Sequence, residues 1–155
     1  MTSFFLDSSA LVKRHLTKIS SSWVTALTNP STANSIVIAE ISRVEIAAAF
    51  ASRHRAPGGI TQAERDRLFH LLVRHSTLEY EVIPVSTRIV DRAMLLTQKH
   101  RLRGYDAVQL AAALDAQAVA VAAGLSGFTF VSADEDLLTA ARLEEIATDN
   151  PNRHP

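Results

Sequence analysis

Apolar and polar positions along the chain fall into short unbroken apolar runs separated by longer amphipathic stretches. Phe4-Phe5-Leu6 is the first run. It lacks alternation and is rich in aromatics, the pattern of a strand buried on both faces. It stops at Asp7-Ser8-Ser9, which places Asp7 at the carboxyl end of that strand. A short helix is predicted over 9–14, and a second over 19–28, anchored by Trp23, Val24 and Leu27 and ended by Asn29-Pro30-Ser31. The β-branched run 35–38 predicts a strand, and a long helix follows over 39–55 up to Pro57-Gly58-Gly59. Thr61 with Glu64 forms a capping box that opens the next helix, to about residue 75. A strand over 81–85, a helix over 86–100, an Ala-rich helix over 104–123 and a strand over 128–131 come next. Ser132 to Glu135 has the form of a second capping box, and its helix ends near Arg142.

Strands thus alternate with helices throughout, which predicts an α/β fold of three layers around a central, mainly parallel sheet. Residues 1–142 are expected to form one domain, and 143–155, with Pro151 and Pro155, a partly loose tail.

Composition narrows the chemistry. At 155 residues, 47% hydrophobic and 21% charged, the chain suits one soluble globular domain. There is no Cys, which excludes disulfides and thiolate metal sites. No signal peptide is visible, and the most apolar stretch, 107–125, is broken by Gln109, Asp115, Gln117 and Gly124. No membrane association is expected, and the cytoplasm is the expected location. Residues 1–103 carry 14 Lys/Arg against 8 Asp/Glu, a net of +6. Residues 104–155 carry 2 against 8, a net of −6. Such a split suits a polyanion partner beside a carboxylate-rich site, or simply two solvated surfaces. The six His are scattered without an i, i+4 pair and read as surface residues.

The acids carry the candidate chemistry. Asp7 follows the first strand, Asp134 the last predicted one, and Asp106 opens the Ala-rich helix. Ligands of open α/β sheets bind at the carboxyl ends of the strands. Each acid also has a structural alternative: Asp7 as an N-cap, Asp106 with Gln109 as a capping box, Asp134 as an acid favoured by a helix dipole. Glu45 is harder to dismiss. At about 100° per residue, Ile41, Val44, Glu45, Ala48 and Ser52 share a stripe expected to face the core. A buried carboxylate is costly unless it is paired or binds a metal; an internal salt bridge, with Arg103 for example, is the alternative. Glu40 points roughly 140° away by the same geometry. Carboxylates gathered at one sheet edge repel, and hard divalent cations hold such groups together through oxygen.

In this setting the sequence resembles the PIN-domain ribonucleases found as VapC-type toxins. The matching stretches are Leu6-Asp7-Ser8-Ser9-Ala10-Leu11-Val12-Lys13, Ser42-Arg43-Val44-Glu45, Leu102-Arg103-Gly104-Tyr105-Asp106-Ala107 and Val131-Ser132-Ala133-Asp134-Glu135-Asp136-Leu137-Leu138. In order and spacing they reach from the start of the chain to about Arg142. The resemblance implies a PIN-like α/β/α fold and a catalytic, metal-holding set of Asp7, Glu45, Asp106 and Asp134. It implies Ser9 and Asp136 as supporting residues; Ser132 stands where the family has threonine. It further implies Mg²⁺ or Mn²⁺ as cofactor, hydrolysis of RNA to 5′-phosphate and 3′-hydroxyl ends, a cognate antitoxin and a homodimer. Lys13, Arg14 and Lys18 near the first acid, and Lys99, Arg101 and Arg103 before Asp106, are candidate RNA contacts, with Arg43 and Arg53 weaker ones. Ile41, Val44 and Ala48, facing Leu68, Leu71 and Leu72, are expected to leave an apolar groove for the antitoxin. A non-catalytic PIN-like module that binds RNA or protein is the alternative function.

Overall fold

The computed structural model describes residues 1–154. Five strands form one sheet in the order β3-β2-β1-β4-β5, and every neighbouring pair is parallel. The strands are β1 (Ser3–Leu6), β2 (Ser35–Ala39), β3 (Tyr80–Ile83), β4 (Phe128–Val131) and β5 (Ala147–Asp149). β1 is central, as its unbroken apolar run requires. Phe5 and Leu6 are fully buried on opposite faces, Phe5 stacked on Phe130 of β4 with ring centroids 5.6 Å apart.

Seven α-helices cover the two faces. On the Leu6 side, α1 (Ser8–Leu11), α2 (Ser21–Leu27), α3 (Glu40–Arg55) and α4 (Gln62–Leu78) pack through Leu11, Val24, Ile46, Phe50, Leu68 and Leu72. On the Phe5 side, α5 (Thr87–Lys99), α6 (Gly104–Ala122) and α7 (Glu135–Leu143) supply Leu96, Leu110 and Leu138, with a run of buried alanines on α6. Small side chains let α6 lie close to the sheet. The capping box of α4 forms as expected, Thr61 Oγ1 accepting from the Glu64 N–H at 3.2 Å and Glu64 Oε2 from the Thr61 N–H at 2.7 Å. Between α3 and α4, Gly58 turns the chain at a φ of +64°, a conformation L side chains rarely adopt.

Four expectations change. The stretch 143–154 is not a loose tail. Residues 147–149 pair with β4, a 3-10 turn follows at Pro151–Arg153, and His154 stacks flat on Trp23 at 4.2 Å. Pro155 lies outside the described residues. The core stripe of α3 is Ser42, Ile46 and Phe50, not the row through Val44, which is 69% exposed. The stripe follows a spacing of four, so Glu45 sits at its margin, half-buried. Leu68 and Leu72 are spent in the molecule's own core, so the expected apolar groove is not built from them. Nor are all the His at the surface: His15 packs on Phe50 and His75, and burial pushes its pKa down to about 4.

Among the described residues no helix is long and apolar enough to cross a membrane.

Candidate active site

The order of the strands decides where a site forms. From β1 the chain moves to β2 and β3 on one side, then crosses back to β4 and β5 on the other. The carboxyl ends of β1 and β4 flank that reversal, the position where open α/β sheets leave a crevice. Asp7 leaves β1 and Ser132 leaves β4, 125 positions apart, and they meet here: Ser132 Oγ donates to Asp7 Oδ2 at 2.7 Å.

Asp7 is 4% exposed and every bond it accepts is neutral. Ser9 Oγ donates to Oδ1 at 2.7 Å and to Oδ2 at 2.9 Å, and the Ala10 N–H donates to Oδ1 at 2.9 Å. Ser9 Oγ also accepts the Ala133 N–H at 2.9 Å, tying the β1 end to the β4 end. Asp7 is therefore the N-cap of α1 as well. Burial pushes its carboxyl up to about 6, against those hydrogen bonds, and Glu45 adds to the rise.

Glu45 reaches the same place from the second turn of α3. Ser8 Oγ donates to its Oε2 at 2.9 Å and Gln109 Nε2 to its Oε1 at 3.0 Å. Asp106 sits in the first turn of α6. Burial raises its pKa, and Asp134 and Glu45 raise it further, while Arg103 opposes them. Asp134 is the N-cap of α7, its Oδ1 accepting the N–H groups of Asp136 and Leu137 at 2.9 and 3.1 Å. Asp7, Glu45, Asp106 and Asp134 together line one cavity of about 300 Å³, with Ser8, Ser9 and Lys18. Asp136 is exposed beside it, in an adjoining recess that Asp106, Asp134, Arg101 and Arg103 share.

Burial without an ion pair sets these four apart, since the other described carboxylates in no ion pair, Glu40, Glu64, Glu81, Asp91, Asp136 and Glu145, are exposed. Among the described residues, ion pairs engage Asp66, Glu79, Asp115, Glu135, Glu144 and Asp149, but none of the four acids in this cavity. The salt bridge considered for Glu45 does not form. Hydroxyls, one amide and backbone N–H groups support the acids, and none of these offsets charge. An oxygen-only donor set held in no ion pair suits a hard divalent cation. The acids are not a finished coordination shell: no three His, Asp or Glu among the described residues are grouped so as to hold a metal ion. Asp7 and Asp134 are turned toward their own hydrogen-bond donors instead.

Two candidate RNA contacts move away. Lys13 is 6% exposed, and its ammonium donates to the Ile19 carbonyl at 2.9 Å and to Asn152 Oδ1 at 2.8 Å. Arg14 is paired with Glu79 at 2.6 Å and donates to the Tyr80 hydroxyl at 2.5 Å. A 3-10 turn over Val12–Arg14 follows α1 and carries both side chains into structural contacts. Lys18 and Arg103 remain at the rim, both exposed.

Two roles were not read from the sequence. Gln109 does not close a capping box with Asp106; its amide goes to Glu45 and to Ser42. A lone amide on the buried side of an alanine-rich helix was the available signal. Ser132 does not cap α7; its hydroxyl is spent on Asp7, and Asp134 takes the cap. At the other end of the strands lies a more apolar crevice of about 410 Å³, including Val37, Val119 and Phe128. Its two carboxylates are engaged, Glu81 by Ser35 and Asp115 by Arg88 and Arg92.

No protein-family model matches the sequence, and no curated protein does. Solved structures do. A chain of FitAB bound to an IR36 DNA fragment superimposes with a TM-score of 0.65 at 13% identity, over 96% of this chain and 94% of that one. A chain of VapBC2 from Rickettsia felis, bound to a DNA fragment from their promoter, gives 0.59 at 13% identity over 96% and 98%. A chain of a toxin–antitoxin complex from Klebsiella pneumoniae gives 0.52 at 16% identity over 84% and 85%. At such identities the likeness is one of fold.

Proposed function

We propose that this chain, whose fold is the PIN-like α/β/α fold shared with those structures, is a Mg²⁺- or Mn²⁺-dependent endoribonuclease and the toxin of a toxin–antitoxin pair. The observation that carries the reading is the set of four carboxylates in one cavity at the strand-order reversal, supported by neutral donors and paired with no cation of the protein. Asp7 and Asp106 would be the main ligands, with Glu45 and Asp134 completing the shell directly or through water. The bound ion supplies a water of lowered pKa and stabilises charge on the phosphate. The chain's own residues do the rest. Ser9 and Ser132 fix the Asp7 carboxylate, Ser8 and Gln109 fix Glu45, and Lys18 and Arg103 draw the RNA backbone toward a negative cavity.

Purified protein incubated with mixed RNAs and Mg²⁺ or Mn²⁺ is expected to cut them, to stop when the ion is chelated, and to leave 5′-phosphate ends. Sequencing of the cut ends checks this. Cutting that survives chelation, or ends carrying a cyclic phosphate, would overturn hydrolysis by a bound ion. No cutting at all would favour the binding-module reading.

The toxin role is supported by the fold shared with chains of FitAB, VapBC2 and the Klebsiella pneumoniae complex. It implies a small antitoxin, and an Arg from that partner would pair with Asp7 or Asp106 and exclude the ion. A homodimer of the toxin, acting in the cytoplasm, belongs to the same reading. Co-expression with the product of the neighbouring gene is expected to yield a copurifying complex in which cleavage is suppressed. A neighbour that neither copurifies nor inhibits would remove the toxin role and leave the ribonuclease intact.

A further inference from the structure

We infer that Gln109 is a positioning residue for the acid cavity: its amide holds the Glu45 carboxylate across the top of the sheet without lending it a positive charge. The inference rests on the ribonuclease reading and extends it to a residue outside the four acids.

Gln109 is the only polar side chain among the buried positions of α6, whose other buried residues are alanines and leucines, and is 2% exposed. A buried amide is costly unless its hydrogen bonds are made. Both amide protons are used: Nε2 donates to Glu45 Oε1 at 3.0 Å and to Ser42 Oγ at 2.9 Å. Oε1 accepts from Ser42 Oγ at 3.3 Å. Turning the amide over would set its oxygen against the Glu45 carboxylate, so the partner fixes the orientation.

The layers make this bond more than local packing. α3 packs on the Leu6 face of the sheet and α6 on the Phe5 face. Ser42 and Glu45 are one turn apart on α3, and Gln109 is one turn beyond Asp106 on α6. One amide therefore sets the spacing between the helix that carries Glu45 and the helix that carries Asp106. Its neutrality matters equally. A Lys or Arg at this position would pair with Glu45 and cancel the charge that a cation needs. An apolar residue would release Oε1 to turn away. Ser8 does the same service for Oε2.

The test is Mn²⁺ affinity, measured from the electron paramagnetic resonance signal of the free ion, with kcat and KM for RNA cleavage alongside. Gln109→Met keeps the volume and removes the donor; Gln109→Leu is the second variant, and whichever retains the wild-type circular dichroism carries the measurement. The expected result is Mn²⁺ binding weakened by about 10-fold or more, the scale at which groups that orient metal ligands act. The loss should fall on kcat with KM for RNA little changed. In a Glu45→Gln background most of the effect of the Gln109 substitution should vanish, since the two then act through one contact. Unchanged Mn²⁺ affinity overturns the inference. So does a loss that persists undiminished beside Glu45→Gln, or unfolding of both variants, since each makes Gln109 a packing residue only. Wild-type protein that binds no Mn²⁺ overturns the metal-dependent reading itself, and is told apart by failing before any substitution is made.

Discussion

Asp7→Asn is expected to abolish RNA cleavage and, in the same protein, to raise the melting temperature of the metal-free chain. The activity should fall by at least about 100-fold, the loss seen when a group that stabilises transition-state charge is removed. The stability gain follows from the raised pKa. Asp7 titrates near 3.8 in an unfolded chain and at about 6 when folded. Below the lower value both states are protonated and Asp7 contributes nothing. Between the two the unfolded chain ionises first, so stability falls as pH rises. Above the upper value the full cost is present, about 3 kcal/mol at roughly 1.4 kcal/mol per unit. Asn carries no charge, but it fits three donors less well than a carboxylate does. A net gain of about 1–2 kcal/mol at neutral pH, a few degrees in Tm for a chain of this size, is the expected outcome. Added Mg²⁺ should then stabilise the wild type and not the variant. Thermal melts at pH 4 and pH 7.5, with and without Mg²⁺, measure all of this. An Asp7→Asn protein that does not fold would make Asp7 a structural cap and remove it from the chemistry.

The second large effect concerns the C-terminal segment. Truncation after Arg142 is expected to leave no cooperatively folded protein. It removes Ile146, which is 2% exposed, and loss of a buried Ile side chain costs about 2–5 kcal/mol. It strips β5 from the edge of β4. It also takes away Asn152, one of the two acceptors of the buried Lys13 ammonium. Each buried polar group left without its partner costs about 1–3 kcal/mol, and whole domains are held by only about 5–15 kcal/mol. Circular dichroism and a thermal melt of the truncated chain decide the matter; a cooperative melt near the wild-type temperature would make the segment dispensable.

That segment also marks where sequence reasoning stops. β1 and its acid were legible because the signal is local, an apolar run ended by Asp7. β5 was not, because Ala147-Thr148-Asp149 has no apolar run; its place comes from hydrogen bonds to β4 and from the Asp149 carbonyl accepting the Ser132 N–H at 3.2 Å. Asp7, Asp106 and Asp134 stand out in the sequence by their positions beside strands and helix starts, and Glu45 only by its place within α3. Their relative placement does not, since Gln109 and Glu45 are 64 positions apart and Ser132 and Asp7 are 125 apart. Lys13 and Arg14 show the opposite limit of local signals. Nearness to Asp7 along the chain suggested nearness to the cavity, and one 3-10 turn sent both side chains elsewhere. Glu45 lies at the margin of the α3 core stripe, because a spacing of four through Ser42, Ile46 and Phe50, rather than the row through Val44, sets the buried face.

The order of the strands has a consequence for synthesis. The central strand, β1, is made before the other four strands, while its partner on one side, β4, follows it by more than a hundred residues, at Phe128–Val131. Parallel pairing across that separation forms late, because the closing loop is long and its contacts return nothing until it is made. Asp7 therefore has no Ser132 beside it, and Asp106 no Asp134, until β4 and the start of α7 have been made. Before β4 is made, β1, β2 and β3 can pair and Ser8 and Gln109 can hold Glu45, but the Asp7 carboxylate lacks the Ser132 hydroxyl and Asp134 is absent. On the proposed activity, the acid cavity is complete only once β4 and the start of α7 have been added to the sheet.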